Sequence, residues 1–315
     1  MSGERVPRDT IVAAPPVAVV VGGSGAMGRW FAAYLKKKGY RVVLVARNVG
    51  RLVVAAEELG VEYSEALEGD LAVPAADLVV VSVPVRSTGP VMERCARLAK
   101  PGTHLVEVAS VKGDLPELAR RLEEEHGVHC ACVHPMFGPG AESLAGRTVV
   151  FVPLHPESDP SPAEARLLEW CRSEGANVVF STASRHDRAV ATTLCATHFV
   201  NLAFGALVSF SGLSLEELGR FAGTTFAAQK TVSMAVFQES PEAYAQIQFE
   251  NEAFVEALDE FAGWVREYAE AARKGDYGWF VEQFARARRH LERDPGFELA
   301  YRRFYAMVDA ARAIR

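Results

Sequence analysis

Val17-Ala-Val-Val-Val-Gly-Gly-Ser-Gly-Ala-Met-Gly-Arg-Trp-Phe31 decides how the rest of the chain is read. Five apolar, mostly β-branched residues suit a strand buried on both faces. A glycine cluster follows, and from Trp30 onward the apolar residues recur at helical spacing. The cluster contains Gly23-x-Gly25-x-x-Gly28. Between a strand and a helix, Gly23 is expected to permit the tight turn. Gly25 would let backbone approach a pyrophosphate, and Gly28 would let helix and strand pack closely. The amides of the helix N-terminus then offer donors and partial positive charge to the phosphates. Gly23, Ser24, Gly25, Ala26, Met27 and Gly28 are therefore candidate contacts of a nicotinamide dinucleotide.

The second strand of such a unit ends where the adenosine ribose is read, by Asp or Glu when the cofactor is NAD. Here it ends Leu44-Val45-Ala46-Arg47-Asn48, with no carboxylate. Arg47 can pair with a 2′-phosphate or stack on adenine, so NADP is the preferred cofactor and NAD the alternative.

Beyond this unit, residues 42–46, 78–83, 104–108, 128–133, 148–152 and 177–180 read as further strands. Segments 30–38, 52–59, 91–98, 115–125 and 162–174 read as helices. Near-continuous apolar strands separated by helices predict a mostly parallel sheet covered on both faces, a Rossmann-like α/β fold. From Ser184 the texture is helical: 188–210, 215–226, 226–237, 243–273, 279–289 and 297–311. The expected organisation is a nucleotide-binding domain over 15–183 and an all-helical substrate and dimerisation domain over 184–315. A helix as long as 243–273 suggests a core shared with a second copy, hence a homodimer.

The 315 residues are 49% hydrophobic and 23% charged, ordinary globular values that exclude disorder and low complexity. A net charge of −6 argues against nucleic acid as a partner and leaves room for a small anionic substrate. Residues 1–16 lack the pattern of a secretory leader, and no run is expected to be apolar enough for a membrane span. The five cysteines suit a reducing cytoplasm. Cys130 and Cys132, with His129 and His134, alternate along one strand and cannot all converge on one ion, so no metal is expected.

Three further segments end predicted strands, on the side where open α/β sheets bind ligands. They are Val81-Ser-Val-Pro84, Val108-Ala-Ser-Val-Lys-Gly113 and Val133-His-Pro-Met-Phe-Gly-Pro139. Ser82, Val83 and Pro84 lie beside the cofactor cleft. His134, held by Pro135 at the start of a rigid loop, could accept a hydroxyl proton while hydride leaves the same carbon.

With Ser143-Leu144, His186-Asp187 and Thr197-His198-Phe199, these motifs resemble the prephenate/arogenate (cyclohexadienyl) dehydrogenase family over nearly the whole chain. The resemblance implies NAD(P)-dependent oxidative decarboxylation of an anionic cyclohexadiene. It implies His134 as proton acceptor, Ser110 as the residue orienting it, and His198 and Tyr244 as substrate contacts. The family's substrate-binding arginine falls on Ala235, which leaves Lys112, Arg185 or Arg188 to meet a carboxylate and brings arogenate or 4-amino-4-deoxyprephenate into consideration. His186 lies about 18 Å along the helix from His198 and reads as a structural residue. The alternatives are another nicotinamide-dependent hydroxyacid dehydrogenase and a non-catalytic cofactor-binding relative. The first expects a lysine within 188–210, where there is none.

Overall fold

A computed structural model describes residues 14–65, 72–157, 159–238 and 240–313. Most of the N-terminal segment read as leaderless therefore lies outside the described residues. The chain forms two compact units, one ending at Asp187 and the other beginning at Arg188.

The first unit runs β1 (Val17–Val21), α1 (Ala26–Lys37), β2 (Arg41–Val45), α2 (Val49–Leu59), β3 (Glu62–Ser64), α3 (Ala72–Ala75), β4 (Leu78–Val81) and α4 (Val85–Leu98). It continues with β5 (His104–Glu107), α5 (Leu115–His126), β6 (His129–Pro135), β7 (Thr148–Phe151), α6 (Pro162–Ser173), β8 (Asn177–Phe180) and the first residues of α7 (Ala183–Val190), which runs on into the second unit. The strands form one sheet in the order β3-β2-β1-β4-β5-β6-β7-β8. All neighbours are parallel except β6 and β7. Side chains alternate between two cores. Val20, Leu44, Val80 and Val133 pack on one face, and Val19, Val43, Val79 and Cys132 on the other. This two-sided burial is why the strands read as unbroken apolar runs.

Helix α4 starts six residues before the predicted boundary. Its first turn, Arg86-Ser-Thr88, is polar, and Pro90 lies inside it, so apolar spacing hides its beginning.

The second unit holds a π-helical turn (Ala191–Ala196), α8 (Thr197–Phe210), α9 (Leu215–Arg220), α10 (Thr224–Val236), α11 (Pro241–Phe249), α12 (Glu252–Lys274), α13 (Tyr277–Leu291), a short 3-10 turn (Phe297–Leu299) and α14 (Ala300–Ala313). Two sequence expectations are corrected here. The segment 215–226 breaks after Arg220. The long helix expected over 243–273 is two helices, because buried Asn251 caps α12 by accepting the Phe254 amide at 3.0 Å. Apolar spacing runs straight through such a break, since each helix presents its own apolar stripe.

A third correction concerns membranes. Helix Ala183–Phe210 is long and apolar enough to cross one by length and composition. Residues 189–210 contain no Asp, Glu, Lys or Arg, which a search for unbroken apolar runs overlooks. Asn201 shows what the helix does in its own unit. Its buried amide donates to the Thr197 carbonyl (2.8 Å) and accepts from Gln229 (2.9 Å) and Ser233 (3.1 Å) of α10. The Thr197 bond stays within α8, while the two bonds from α10 join the helices as a bundle does.

Candidate active site

The glycine loop joins β1 to α1 and is tied to the end of β2: the Gly22 and Gly23 amides donate to the Val45 carbonyl at 2.8 and 3.1 Å. The turn is made by Gly22 (φ +88°), correcting the role expected of Gly23. Gly23 is required for a different reason, since a Cβ there would meet Leu44 at 2.8 Å. Gly28 has the expected role, because its Cβ would lie 2.2 Å from the Gly22 carbonyl oxygen. At Gly25, the residue preceding α1, a Cβ would meet only that same oxygen, at 3.2 Å. No acidic residue sits in the first turn of α1. An open cleft beside the loop is lined by Ser24, Ala26, Arg29, Trp30, Arg51 and Pro139. Arg29 is ion-paired with Glu58; bare backbone, an uncapped helix start and the Arg51 guanidinium fit a dinucleotide's phosphates. Arg47 lies exposed just past β2. Ser82 is joined to the loop's strand, its amide donating to Val21 at 2.8 Å, and Val83 borders Gly22.

His134 occupies the end of β6 and is 4% exposed. Its Nδ1 lies 2.9 Å from Nε2 of His186, whose Nδ1 lies 2.6 Å from the Asp187 carboxylate. Asp187 also accepts the Lys112 amide (2.9 Å) and the Gly113 amide (2.8 Å) from the loop after β5. Burial pushes the Asp187 carboxyl up, but these hydrogen bonds outweigh it and hold the group below its ordinary value. An ionised Asp187 can only accept, so His186 Nδ1–H donates to it. In the tautomer with a neutral His186, its Nε2 accepts from His134 Nδ1–H, which leaves the His134 lone pair on Nε2. Burial first, then the Lys112 ammonium and His186, keep the His134 imidazole well below its usual pKa and thus neutral.

Lys112 is not placed to meet a substrate. Its side chain is fully buried, 2.5 Å from Glu107 and donating to the Val133 carbonyl at 2.8 Å. A strand-end lysine reads as a cation for the cleft, and nothing in the sequence shows that it points inward. Ser110 is half-buried between Ala109 and Val111, and no hydrogen bond joins it to His134. His186 is the residue that sequence reasoning passed over. Spacing along the helix relates it to His198, whereas the fold carries it across to His134. Arg185 is exposed on α7.

In the helical unit, His198 and Tyr244 meet edge to face with ring centroids 4.4 Å apart. Among the described residues, the buried Nδ1 of His198 has no hydrogen-bond partner, and burial lowers the ring's pKa. Ala235 is exposed on α10. Cys130 and Cys132 are buried among apolar residues, and burial raises both thiols.

The sheet order, the glycine turn and the polar cluster at the carboxyl ends of β5 and β6 define the first unit as an α/β dinucleotide-binding domain of NAD(P)-dependent type. Residues 31–180 match the family model described as prephenate dehydrogenase, nucleotide-binding domain, and residues 182–286 match prephenate dehydrogenase, dimerization domain. The chain belongs to the prephenate dehydrogenase family. It is 30% identical over 272 residues to 4-amino-4-deoxyprephenate dehydrogenase of Streptomyces pristinaespiralis, covering 86% of this chain and 89% of that one. It is 28% identical over 272 residues to a protein of Methanocaldococcus jannaschii named "Probable arogenate/prephenate dehydrogenase", covering 86% of this chain but only 60% of that longer one. In fold it is similar to prephenate dehydrogenase from A. aeolicus, solved with hydroxyphenyl propionate and NAD+ (TM-score 0.65, 19% identity, 90% of this chain and 100% of the other).

Proposed function

We propose that the protein catalyses NAD(P)-dependent oxidative decarboxylation of prephenate or a close cyclohexadiene analogue, with His134 as proton acceptor. The observation that carries this is the His134–His186–Asp187 chain at the ligand-binding end of the sheet; the tautomer with a neutral His186 leaves a lone pair on His134 Nε2. When bound, the nicotinamide would supply the hydride acceptor. As hydride leaves the ring carbon bearing the hydroxyl, His134 takes the hydroxyl proton. The ring carboxylate departs as carbon dioxide, its bonding electrons aromatise the ring, and the phenolate oxygen recovers a proton. Nothing is formed covalently on the protein, so its work is positioning and charge balance.

In this reading Ser110 contacts the substrate hydroxyl, and His198 and Tyr244 bind the substrate. Residues 23–28, Arg47 and 82–84 hold the cofactor, with NADP preferred because Arg47 stands where NAD enzymes carry a carboxylate. Residues 15–183 form the nucleotide-binding domain and 184–315 the substrate and dimerisation domain. Self-association has physical support in the helical unit, where Phe210 (80%), Phe221 (87%) and Tyr277 (81%) are largely exposed. A cytoplasmic location agrees with five free cysteines.

A second reading, an amino-substituted substrate, is favoured by Ala235, which offers no cation where the family resemblance expects an arginine.

The test is turnover of prephenate, arogenate and 4-amino-4-deoxyprephenate with NADP and NAD, by wild type and His134→Asn. The variant should bind cofactor normally and lose about 10²–10⁴-fold in kcat. Near-normal turnover by His134→Asn would overturn the assignment.

A further inference from the structure

We infer that Lys112 is the positioning residue of the proton acceptor, holding His134 from two directions at once. This rests on the reading of His134 as the base. Through its backbone, the Lys112 amide donates to Asp187 (2.9 Å), which orients His186, which in turn orients His134 Nδ1. Through its side chain, the Lys112 ammonium donates to the carbonyl of Val133 (2.8 Å), the residue immediately before His134 on β6. The hydrogen bonds close into a ring: His134, His186, Asp187, Lys112, Val133 and back along the backbone to His134. Both the ring nitrogen and the main chain of the histidine are thereby referred to one residue.

Glu107 makes the arrangement tolerable. It neutralises the ammonium at 2.5 Å, and its other oxygen accepts the Ala109 amide at 2.8 Å. An apolar pair of equal volume would fill this part of the core as well as a buried ion pair does. What apolar groups cannot supply is direction, and every polar contact of this pair points to the segments flanking Ser110 and His134. The charged and titratable groups around His134 are Lys112 and Glu107 from the β5 end, His186 and Asp187 from α7, and the Cys132 thiol two residues back on β6. The ammonium is the positive charge in this set that favours a neutral imidazole.

The test is the double variant Lys112→Met with Glu107→Gln, which removes both charges while keeping volume. NADPH affinity, read by fluorescence titration, and the substrate KM should stay within about threefold. The kcat should fall at least about tenfold, and its acid limb should move to higher pH as His134 becomes easier to protonate. If the double variant does not fold, His186→Phe interrupts the same ring without disturbing the ion pair. It should show the same split, with kcat reduced and NADPH affinity kept. Wild-type kcat in the variant that folds overturns the inference. So does a fall in the double variant's kcat with its acid limb unmoved, which is the signature of core packing alone. His134→Asn, measured alongside, separates the two readings. If it retains turnover, the base assignment itself has failed. If it is inactive while the ring variants match wild type, only the role of Lys112 falls.

Discussion

Substituting Gly25 by alanine should separate cofactor binding from folding, because the two glycines bounding the first turn of α1 have different neighbours. A Cβ at Gly25 meets only the Gly22 carbonyl oxygen, at 3.2 Å, and the residue has φ −78° and ψ 161°, a conformation open to alanine. Alanine narrows the unfolded ensemble, a gain of about 0.4–1 kcal/mol. It is a poorer residue than glycine just before a helix, a loss of roughly the same size. The net change should lie within about 1 kcal/mol, or about 2–4 °C in Tm for a chain of this size. The added methyl group occupies the space through which a pyrophosphate would approach the loop, so NADPH affinity should fall at least about tenfold, or about 1.4 kcal/mol. Gly28→Ala is the contrasting case. Its Cβ would lie 2.2, 2.8 and 2.9 Å from backbone atoms of Gly22 and Gly23, none of which can rotate away. Helix α1 must then shift off β1, at a cost of about 1–3 kcal/mol or more, and binding and Tm should fall together. The assays are NADPH fluorescence titration and thermal denaturation of both variants. Undiminished NADPH binding by folded Gly25→Ala would refute the placement of the phosphates over this loop.

Arg47→Ala should weaken NADP binding and leave NAD almost unchanged; equal losses would mean that Arg47 stacks on adenine, and no loss that it is a solvated surface residue. Stability should fall as pH drops from about 6.5 towards 4. His104, chiefly through burial, has its pKa lowered to about 4, so below 6.5 the unfolded chain takes up a proton that the folded chain refuses; His134 acts in the same direction. His104→Gln should flatten the change in urea midpoint between pH 7 and 5, and an unchanged slope would remove His104 from this account. Ala235→Arg should improve kcat/KM for prephenate through a charge-assisted contact of roughly 1.5–3 kcal/mol, and should harm an amino-substituted substrate by like-charge repulsion. No change for either substrate would mean that this helix position does not face the ring.

The α/β unit was legible because its strands are buried on both faces: Val19 and Val20 serve opposite cores, so the run needs no alternation to be recognised. The glycines were legible as a group but not singly. That Gly22 rather than Gly23 takes the positive φ depends on where the loop reaches the β2 end and Ser82, which spacing does not encode. Asn251 shows the limit for helices, since a buried cap resets the backbone while the apolar period continues through it. His134 could be found in the sequence because a short, specific motif surrounds it. Its support could not, since residues 107, 112, 186 and 187 lie far from position 134 along the chain and are linked to it only because the ends of β5 and β6 and the first turn of α7 come together.

One contact connects the two halves of the site within the α/β unit. Trp30, on the second turn of α1, donates its indole N–H to the Ala141 carbonyl at 2.7 Å, across 111 residues of sequence. Its ring stacks on Tyr34 (centroids 5.2 Å apart) and meets Phe137 edge to face (5.0 Å). Phe137 belongs to the loop that begins at His134, and α1 is the helix whose first turn follows the glycine loop. Trp30 and Phe137 are both half-buried, and large aromatic side chains of this kind lose little conformational freedom on packing. The loop after His134 is therefore packed directly on the cofactor helix. In the proposed reaction, hydride and proton leave one carbon and its oxygen together, which requires the dinucleotide and the imidazole to be placed in a common frame. The Lys112 ring holds the imidazole from the β5 side and the Trp30 contact holds its loop from the α1 side, and that frame consists of these two sets of contacts.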